Sequence, residues 1–521
     1  MKQMKQIYFI YSLFLWLGIG LTACVDDKGN YDYRSVEDML PFTIKLTGND
    51  GEEIGDVLEC AMGSELKITS QLEGEVNEND YSYLWFVIPR QFSGISAQQD
   101  TLSREKDLAC VLNYAPNTYG LYFEVYDMDR QIYKSRIIEM TVKAELGHGW
   151  YVLKDQNGLC DFDFVGADGK VWHNVIAATG EKALSGEGRA IAYLPRNYRH
   201  EIENEDGTTT MLYNQKALFV LAQNEMRILN AIDNTTFKTQ AECFYDEQEN
   251  YNYQAVKQIM GSMVYMINDG KLHYIYTMSA GVGKFGFETD PDKGYRIHSD
   301  MLASSQFMMF WDQSTASFLF VQSYGGGFLP FNEAEAGADV SQSPSNMGME
   351  LVRLLPRMEI FETNGFAVLK AAGDQYHLAK IEIPNPYAPA TYPFVAFDEL
   401  PSGLAMPQAK VMAAHKYSDC IYFAKGGELW SYTHADIPGR EELIKEFPGE
   451  EITYIAHLES TYVQNSYSQL FVGTQKGNQW KLYRFEFVGS THEINPTPVS
   501  EPYTGEGTIR DVCFVYPGQM F

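Results

Sequence analysis

Cysteine is scarce in this chain, and no two cysteines have the spacing of a redox motif or a zinc knuckle. The 521 residues contain seven cysteines and no Cys-x-x-Cys pair. Apart from Cys24, they are scattered widely: Cys60, Cys110, Cys160, Cys243, Cys420 and Cys513. This pattern excludes a disulfide-stapled framework. We expect free thiols, and Cys60 with Cys110 is the one pair worth checking for a bond.

The motifs of nucleophilic, metal-dependent and phosphate chemistry are also missing. The ten histidines are isolated, with no His-Glu-x-x-His, no Gly-x-Ser-x-Gly and no Gly-x-x-x-x-Gly-Lys anywhere in the sequence. Zinc protease, serine hydrolase and P-loop readings therefore have no support. From the sequence we assign no catalytic residue, no metal ligand and no cofactor.

Positive charge is in short supply. Forty Lys and Arg stand against 69 Asp and Glu, a formal net charge of -29. Such a chain repels phosphate backbones, which excludes nucleic acid as a partner. The acidity would suit calcium or neutral and cationic ligands, although a well-solvated surface is the simpler interpretation.

The chain also lacks an apolar run long enough to cross a bilayer. The longest, from Ile7 to Leu21, covers about 15 residues, whereas a spanning helix needs about 20. It follows Lys2 and Lys5 and ends in Leu21-Thr22-Ala23-Cys24. These features predict a lipoprotein signal peptide over residues 1–23, with lipid attached to Cys24. The alternative is an ordinary secretory peptide beside a coincidental cysteine.

The residues after the predicted lipidation site carry a family resemblance. Cys24 is followed by Val-Asp-Asp-Lys-Gly-Asn-Tyr-Asp-Tyr, which resembles the mature start of PKD-like lipoproteins of Bacteroidota. Asp26 and Asp27 match the acidic signal that sends such lipoproteins to the cell surface, while Val25 and Lys28 leave the leaflet open. The resemblance implies an outer-membrane, lipid-anchored protein that works with a TonB-dependent transporter and its lid lipoprotein in nutrient uptake.

Periodicity predicts an all-β chain with two domains. Residues 24–39 have no hydrophobic pattern and read as a tether, and residues 40–145 show short alternating strands typical of an immunoglobulin-like sandwich. Trp85 is placed to fill its core, and Tyr119 resembles the tyrosine in the penultimate strand of PKD-type domains. Residues 90–105 read as a loop.

From residue 146 to 521 the sequence repeats a unit of one strand followed by a hairpin. The period of the repeat is roughly 45 to 65 residues. Seven hairpins are recognisable, the first at Gly149–Phe164 and the last at Leu470–Phe485. A final strand, Ile509–Phe514, has no hairpin after it and is expected to return to the first one. The interpretation is a seven-bladed β-propeller; a pair of β-sandwiches is the rival.

A few residues are candidates for binding or catalysis. Tyr324 and Phe328 flank three glycines, so their rings are our candidate ligand-binding residues. Asp290 and Asp292 precede a glycine as in calcium loops, yet a plain turn is the simpler interpretation. Asp161 and Asp163 point to one face of a strand and form a weak candidate for a glycosidase pair.

Taken together, these observations predict a non-enzymatic, surface-anchored accessory lipoprotein that binds a glycan, a peptide or partner proteins. A hydrolase or lyase with carboxylates at the propeller mouth is one alternative, and it requires carboxylates from different blades to converge. A structural assembly lipoprotein is the other, and it requires an exposed apolar patch in place of an aromatic-lined pocket.

Overall fold

The computed structural model describes residues 39–515 except 50, 62–63, 75, 90–98, 113, 115–116, 144–146, 179–180, 205–206, 260–262, 279–280, 304–306, 323–324, 332–339, 341, 358–362, 384–391, 435–438 and 461–466. The chain divides into two compact units between Val142 and Lys143. In the described part, no helix is both long and apolar enough to cross a membrane. Cys24 and the two aspartates after it lie outside the described residues.

The first unit is a β-sandwich. Its strands are β1 (Thr43–Thr47), β2 (Val57–Ala61), β3 (Glu65–Glu73), β4 (Tyr81–Pro89), β5 (Asp100–Ser103), β6 (Leu108–Val111), β7 (Asn117–Asp127) and β8 (Ile132–Lys143), with a 3₁₀ turn at Glu78–Asp80. They form two antiparallel sheets, ordered β1-β3-β6 and β2-β8-β7-β4-β5. The strict alternation of buried and exposed residues along β3 is what one face against a core requires.

The core of the sandwich is centred on Trp85. Its side chain is fully buried, its ring stacks on Phe123 with centroids 4.2 Å apart, and its indole N–H donates to the Lys106 carbonyl. Tyr119, on the penultimate strand β7, is also buried in this core. Both residues are therefore structural, as predicted. The predicted loop at 90–105 is wrong at its end, because β5 pairs with β4 through Trp85 and Ser103.

The second unit consists of seven antiparallel sheets. Sheet 1 contains β9 (Gly149–Gln156), β10 (Leu159–Gly166), β11 (Val171–Trp172) and β12 (Leu184–Ser185), with the helix α1 (Val175–Ala178) before β12. Sheet 2 contains β13 (Gly188–Glu203), β14 (Thr209–Ala222), β15 (Met226–Asn230) and β16 (Thr236–Lys238), followed by a 3₁₀ turn at Gln240–Glu242. Sheet 3 contains β17 (Tyr253–Ile259), β18 (Met263–Asn268) and β19 (Lys271–Tyr276), followed by a 3₁₀ turn at Pro291–Lys293.

The remaining sheets have four strands each. Sheet 4 contains β20 (Leu302–Ala303), β21 (Phe307–Asp312), β22 (Ser317–Gln322) and β23 (Leu329–Pro330). Sheet 5 contains β24 (Glu350–Pro356), β25 (Thr363–Lys370), β26 (Tyr376–Ile383) and β27 (Phe394–Glu399). Sheet 6 contains β28 (Met412–Ala414), β29 (Cys420–Lys425), β30 (Glu428–Thr433) and β31 (Arg440–Glu446), preceded by a 3₁₀ turn at Met406–Gln408. Sheet 7 contains β32 (Glu451–Ser460), β33 (Tyr467–Lys476), β34 (Gln479–Glu486) and β35 (Tyr503–Glu506).

The last strand closes the ring. Strand β36 (Thr508–Val515) pairs antiparallel with β9, with Val512 opposite Val152 and Phe514 opposite Trp150. Sheet 1 therefore has the order β36-β9-β10-β11, built from both ends of the unit. This pairing confirms the predicted return of the final strand to the first hairpin.

Hydrophobic clusters fill the interfaces between neighbouring sheets. Seven separate clusters are present, and each joins two sheets that are adjacent around the ring. The one between sheets 7 and 1 brings Trp150 and Val152 against Phe471 and Trp480. Because seven sheets share seven such interfaces, the ring is complete and the second unit is a seven-bladed β-propeller. Its sheets are the blades, and each keeps its sheet number.

Short hairpin turns keep the paired strands of each blade in register. Asn157 and Gly158 join β9 to β10, and Asp269 and Gly270 join β18 to β19, all with positive φ. Two-residue turns of this kind match the right-handed twist of a hairpin and favour Asn, Asp and Gly. The seven predicted hairpins are confirmed. In blade 6 the single strand before the hairpin begins only at Met412, because a 3₁₀ turn that contains Pro407 occupies Met406–Gln408.

Candidate functional site

A large concave site lies where the innermost strands of the propeller begin. It is a cavity of about 1210 Å³ to which all seven blades contribute. One lining residue from each blade, in order from blade 1 to blade 7, is Arg510, Ala190, Gln254, Asp300, Arg353, Lys410 and Glu451. We call this cavity the axial mouth. Sequence repeats predict that such a mouth exists, although they do not say which side chains line it.

The charge of the axial mouth is opposite to that of the whole chain. Its lining includes five cationic side chains and two acidic ones, although the chain carries -29. The cationic residues are Arg189, Arg353, Lys410, Lys425 and Arg510, and the acidic ones are Asp300 and Glu451. The expectation that the acidic composition would favour neutral or cationic ligands therefore does not describe this cavity.

Asp300 ties blade 4 to blade 5 at the rim. Its carboxylate accepts a hydrogen bond from the Leu354 amide at 2.9 Å and lies 3.2 Å from the Arg353 Nε. The Asp300 carboxylate therefore holds Arg353 at the mouth, and it also binds the backbone of the strand that carries Arg353. The carboxylate is engaged by its neighbours, which leaves it poorly placed to act as a free general base.

A second aspartate makes the same kind of link between blades 1 and 2. Asp511 accepts from the Ile191 amide at 3.0 Å and from the Val512 amide at 2.9 Å. Burial raises the pKa of Asp511 to about 6, and these two backbone hydrogen bonds oppose the rise. At two interfaces of the ring, an aspartate of one blade therefore accepts a backbone hydrogen bond from the inner strand of the next blade.

Two further arginines at the mouth have carboxylate partners. Arg510 pairs with Asp155, and this contact raises the pKa of the Arg510 guanidinium. Arg189 lies 3.2 Å from Glu187. Paired guanidinium groups keep a fixed orientation and retain N–H groups that can still bind a ligand.

The two lysines of the mouth differ from its arginines. Lys410 and Lys425 both belong to blade 6 and both are exposed. No described carboxylate forms an ion pair with either of them. Lys425 instead lies 5.0 Å above the Trp430 ring. These lysines give the cavity positive charge that the described part of the protein does not neutralise.

The rest of the lining is polar and small. Asn252, Gln254, Ser299, Gln408 and Thr453 supply amide and hydroxyl groups. The described residues that line the cavity include no aromatic ring. Within the described ranges, no group of three or more His, Cys, Asp or Glu side chains is placed to hold a metal ion. The axial mouth therefore suits a hydrophilic ligand held by hydrogen bonds and charge.

The predicted ligand-binding loop packs against its own protein. Tyr324 lies outside the described residues. Phe328 is 2% exposed and packs edge-on against Tyr295, with ring centroids 4.6 Å apart. A ring buried in this way offers no face to a ligand, so the candidate role of Phe328 is not supported.

The glycines of the same loop allow other residues of the protein to approach the backbone closely. A Cβ at Gly325 would lie 2.6 Å from the Tyr274 ring, and one at Gly327 would lie 2.5 Å from the Asp290 carboxylate. Asp290 accepts the Phe328 amide at 2.6 Å and lies 3.0 Å from the Lys293 ammonium. The acidic loop is therefore a turn that anchors the glycine loop, which agrees with the simpler interpretation.

Asp161 and Asp163 are both engaged in structural contacts within blade 1. Asp161 accepts hydrogen bonds from the Ile176 and Ala177 amides at the start of α1. Burial raises the pKa of Asp161, against the effect of those hydrogen bonds. Asp163 is fully buried beside the Lys154 ammonium, 2.9 Å away. Neither carboxylate reaches an open site, so the glycosidase reading of this pair is wrong.

A smaller cavity of about 280 Å³ carries the aromatic lining that the axial mouth lacks. Tyr245, Tyr274 and Tyr276 line it, together with Arg199 and Lys284. No sequence pattern joins these residues: Arg199 lies in blade 2, Tyr245 precedes blade 3, and Tyr274 and Tyr276 lie in the third strand of blade 3. All six described cysteines are free, including Cys60 and Cys110.

Comparison with known proteins identifies the N-terminal part of the chain. Residues 24–187 match the model of the PKD-like family. The match begins at Cys24, covers the sandwich and strands β9–β12, and ends one residue before β13. The PKD-like resemblance predicted from the residues after Cys24 is therefore confirmed. No curated protein matches the chain.

Solved structures with a similar fold are distant in sequence. A quinoprotein alcohol dehydrogenase-like protein from Bacteroides thetaiotaomicron VPI-5482 is 10% identical with a TM-score of 0.38, over 90% of this chain and 99% of that one. The β-propeller domain of Cps50 (Swd1) from Myceliophthora thermophila is 6% identical with a TM-score of 0.33, over 51% and 79%. The protein described as regucalcin, a calcium-binding protein from Agrobacterium tumefaciens, is 13% identical with a TM-score of 0.29, over 54% and 86%. These similarities say nothing about a ligand or an activity of this chain.

Proposed function

We propose that this protein is a surface-anchored accessory lipoprotein that binds an oligomeric ligand at the axial mouth of its propeller. The observation that carries the proposal is the convergence of seven inner strands on one polar cavity of about 1210 Å³. That volume exceeds the range of roughly 300–1,000 Å³ typical of sites for small ligands. A cavity of this size suits several residues of a chain-like ligand.

The lipoprotein part of the proposal rests on the sequence. The lipobox ending at Cys24 and the PKD-like match starting at the same residue agree on where the mature chain would begin. By resemblance to PKD-like lipoproteins of Bacteroidota, the partners would be a TonB-dependent transporter and its lid lipoprotein in the outer membrane. The protein would hold a glycan or a peptide near that transporter.

The hydrolase alternative has less to support it. The described acidic residues at the mouth are Asp300 on blade 4 and Glu451 on blade 7, and Asp300 is committed to Arg353 and to the Leu354 amide. Catalysis would need carboxylates from different blades to meet at one substrate atom. The geometry favours binding over cleavage.

The experiment is an affinity capture from solubilised membranes, with the protein tagged after Phe521 and a Cys24→Ala variant as control. Recovery of a TonB-dependent transporter and its lid with the lipidated protein, and their loss with Cys24→Ala, is the expected result. Equal recovery of the transporter and its lid with both forms would show that the lipid anchor is not needed for the association. Recovery of the lipidated protein alone would contradict the uptake assignment.

A further inference from the structure

We infer that the axial mouth selects an anionic glycan, a carboxylated or sulfated oligosaccharide, through the lysines of blade 6. The inference rests on the proposed ligand-binding function and adds the chemical class of the ligand. Its starting point is the reversal of charge: a chain of net charge -29 presents five cationic and two acidic side chains in one cavity. The electric field of a cationic cavity is focused there and attracts an anionic ligand.

Lys410 and Lys425 carry this inference because no described carboxylate neutralises their charge. The three arginines of the mouth lie beside Asp155, Glu187 and Asp300. The two lysines have no such partner among the described carboxylates and remain exposed. An ammonium group that is free in the unliganded protein can donate up to three hydrogen bonds to a carboxylate or a sulfate.

The backbone explains why these two lysines meet at the mouth. Lys410 follows the 3₁₀ turn at Met406–Gln408, in the segment that leads into β28. Lys425 ends β29, at the tight turn into β30. The two segments are held together, because the Ala424 amide donates to the Val411 carbonyl at 3.0 Å. Blade 6 therefore presents both ammonium groups on one edge.

The remaining lining distinguishes a glycan from an acidic peptide. Amide and hydroxyl side chains from several blades, among them Asn252, Gln254 and Thr453, complement sugar hydroxyls. The apolar part of the lining is limited to small or aliphatic side chains such as Ala409, Val411 and Ile452. A peptide would need deeper apolar pockets for its side chains than these residues offer. The geometry favours a hydroxyl-rich anion.

The experiment measures binding of the folded protein to two pairs of saccharide probes and one peptide probe by isothermal titration calorimetry. Oligogalacturonides are compared with their methyl esters, and sulfated dextran oligomers with unsulfated ones. The charged member of at least one pair is expected to bind more tightly, with an affinity that falls as salt rises. An effect in the galacturonide pair indicates that the site binds a carboxylate, and an effect in the dextran pair indicates that it binds a sulfate. Poly-glutamate of equal charge serves as the peptide probe.

Matched charge-reversal variants locate the effect. Lys410→Glu is expected to weaken binding of the charged probe roughly tenfold or more, the effect of one lost charge-assisted hydrogen bond. Lys182→Glu is the control, because Lys182 is also exposed, changes the net charge equally and does not line the cavity. The milder Lys410→Ala/Lys425→Ala variant tests the same site without adding a negative charge.

Each outcome has a distinct meaning. Equal binding of charged and neutral oligosaccharides would overturn the anionic class while leaving the proposed function intact. Equal weakening by Lys410→Glu and Lys182→Glu would overturn the assignment to the axial mouth. Tight binding of poly-glutamate in place of the charged sugars would overturn the glycan. Absence of binding to every charged probe would overturn the inference, and capture of the transporter would still test the function separately.

Discussion

The ammonium of Lys154 lies 2.9 Å from the carboxylate of Asp163, and both side chains are at most 2% exposed. The two residues belong to the adjacent strands β9 and β10 of blade 1, the blade that closes the ring. The His173 Nδ1 and the Asn174 amide also contact the same carboxylate, at 3.0 and 2.8 Å. Asp163, a candidate catalytic residue in the sequence, is therefore a structural residue of the blade that closes the propeller.

We predict that Asp163→Asn destabilises the propeller by about 3–5 kcal/mol, because it removes the carboxylate in direct contact with the buried Lys154 ammonium. Urea unfolding followed by tryptophan fluorescence measures the loss. The double variant Lys154→Met/Asp163→Asn should recover part of it, since the ammonium that lost its direct partner is then absent as well.

The control for this prediction is an exposed pair. Lys370 and Asp374 lie 2.6 Å apart, with side chains 34% and 80% exposed. Asp374→Asn should cost far less than Asp163→Asn, because water screens such a pair. Equal costs at Asp163 and Asp374 would show that burial does not strengthen the Lys154 contact.

A pair of buried histidines makes the propeller sensitive to acid. The rings of His415 and His457 lie 4.7 Å apart between blades 6 and 7, and both side chains are nearly inaccessible. Burial lowers the pKa of His415 to about 4, with further lowering by His492 and Arg357. Burial also lowers the pKa of His457 to about 3, with further lowering by His415 and Lys416.

The sign of the effect follows from proton uptake. An unfolded histidine titrates near pH 6.5, so between about pH 6.5 and 4 the unfolded chain binds more protons than the folded one. We predict that stability decreases as the pH is lowered across this window, by up to about 1.4 kcal/mol per histidine and per pH unit. Urea midpoints measured from pH 7.5 to 4.5 provide the test.

Substitution assigns this pH dependence to the pair. The Nδ1 of His457 accepts the Lys416 amide, and its Nε2 contacts the Ser468 hydroxyl. His457→Gln keeps a neutral hydrogen-bonding side chain and should flatten the pH dependence. His377→Gln, at a ring in blade 5 that packs on Phe397, should leave it unchanged. A slope that survives His457→Gln would assign the acid sensitivity to other groups.

Strand periodicity was enough to predict the blades, because each hairpin places a continuous apolar run in the ring. The mouth was harder to predict, since its lining comes from seven separated segments whose side chains have no common pattern. Lys410 shows the difficulty: the apolar neighbours Val411 and Met412 suggested a strand, whereas the Met406–Gln408 turn leaves Lys410 in an irregular segment at the rim. The place of Lys410 at the mouth follows only from the geometry of the folded ring.

The glycine loop shows the opposite error. Gly325 and its neighbours correctly suggested a close approach, since glycine tolerates contacts that a Cβ would block. The sequence could not reveal that the approaching groups are Tyr274 and Asp290 of the same chain. Because those residues lie more than 30 positions away, only the folded ring brings them to the loop.

We therefore predict different costs at two neighbouring glycines. Gly325 and Gly326 both have positive φ, at 86° and 109°, but only Gly325 faces a ring, with Tyr274 atoms 2.6 Å from its would-be Cβ. Gly326→Ala should cost about 1–2 kcal/mol through backbone strain alone. Gly325→Ala should cost about 1–3 kcal/mol more, through overpacking against Tyr274.

A double-mutant cycle separates the two contributions. In a Tyr274→Ala background the obstructing ring is absent, so Gly325→Ala should cost about as much as Gly326→Ala, and the difference between the backgrounds gives the contact energy. Thermal unfolding of the parent protein, of Gly325→Ala, Gly326→Ala and Tyr274→Ala, and of the double variant Gly325→Ala/Tyr274→Ala supplies the values. If Gly325→Ala and Gly326→Ala are equally destabilising in the parent, the close approach of Tyr274 does not constrain the loop.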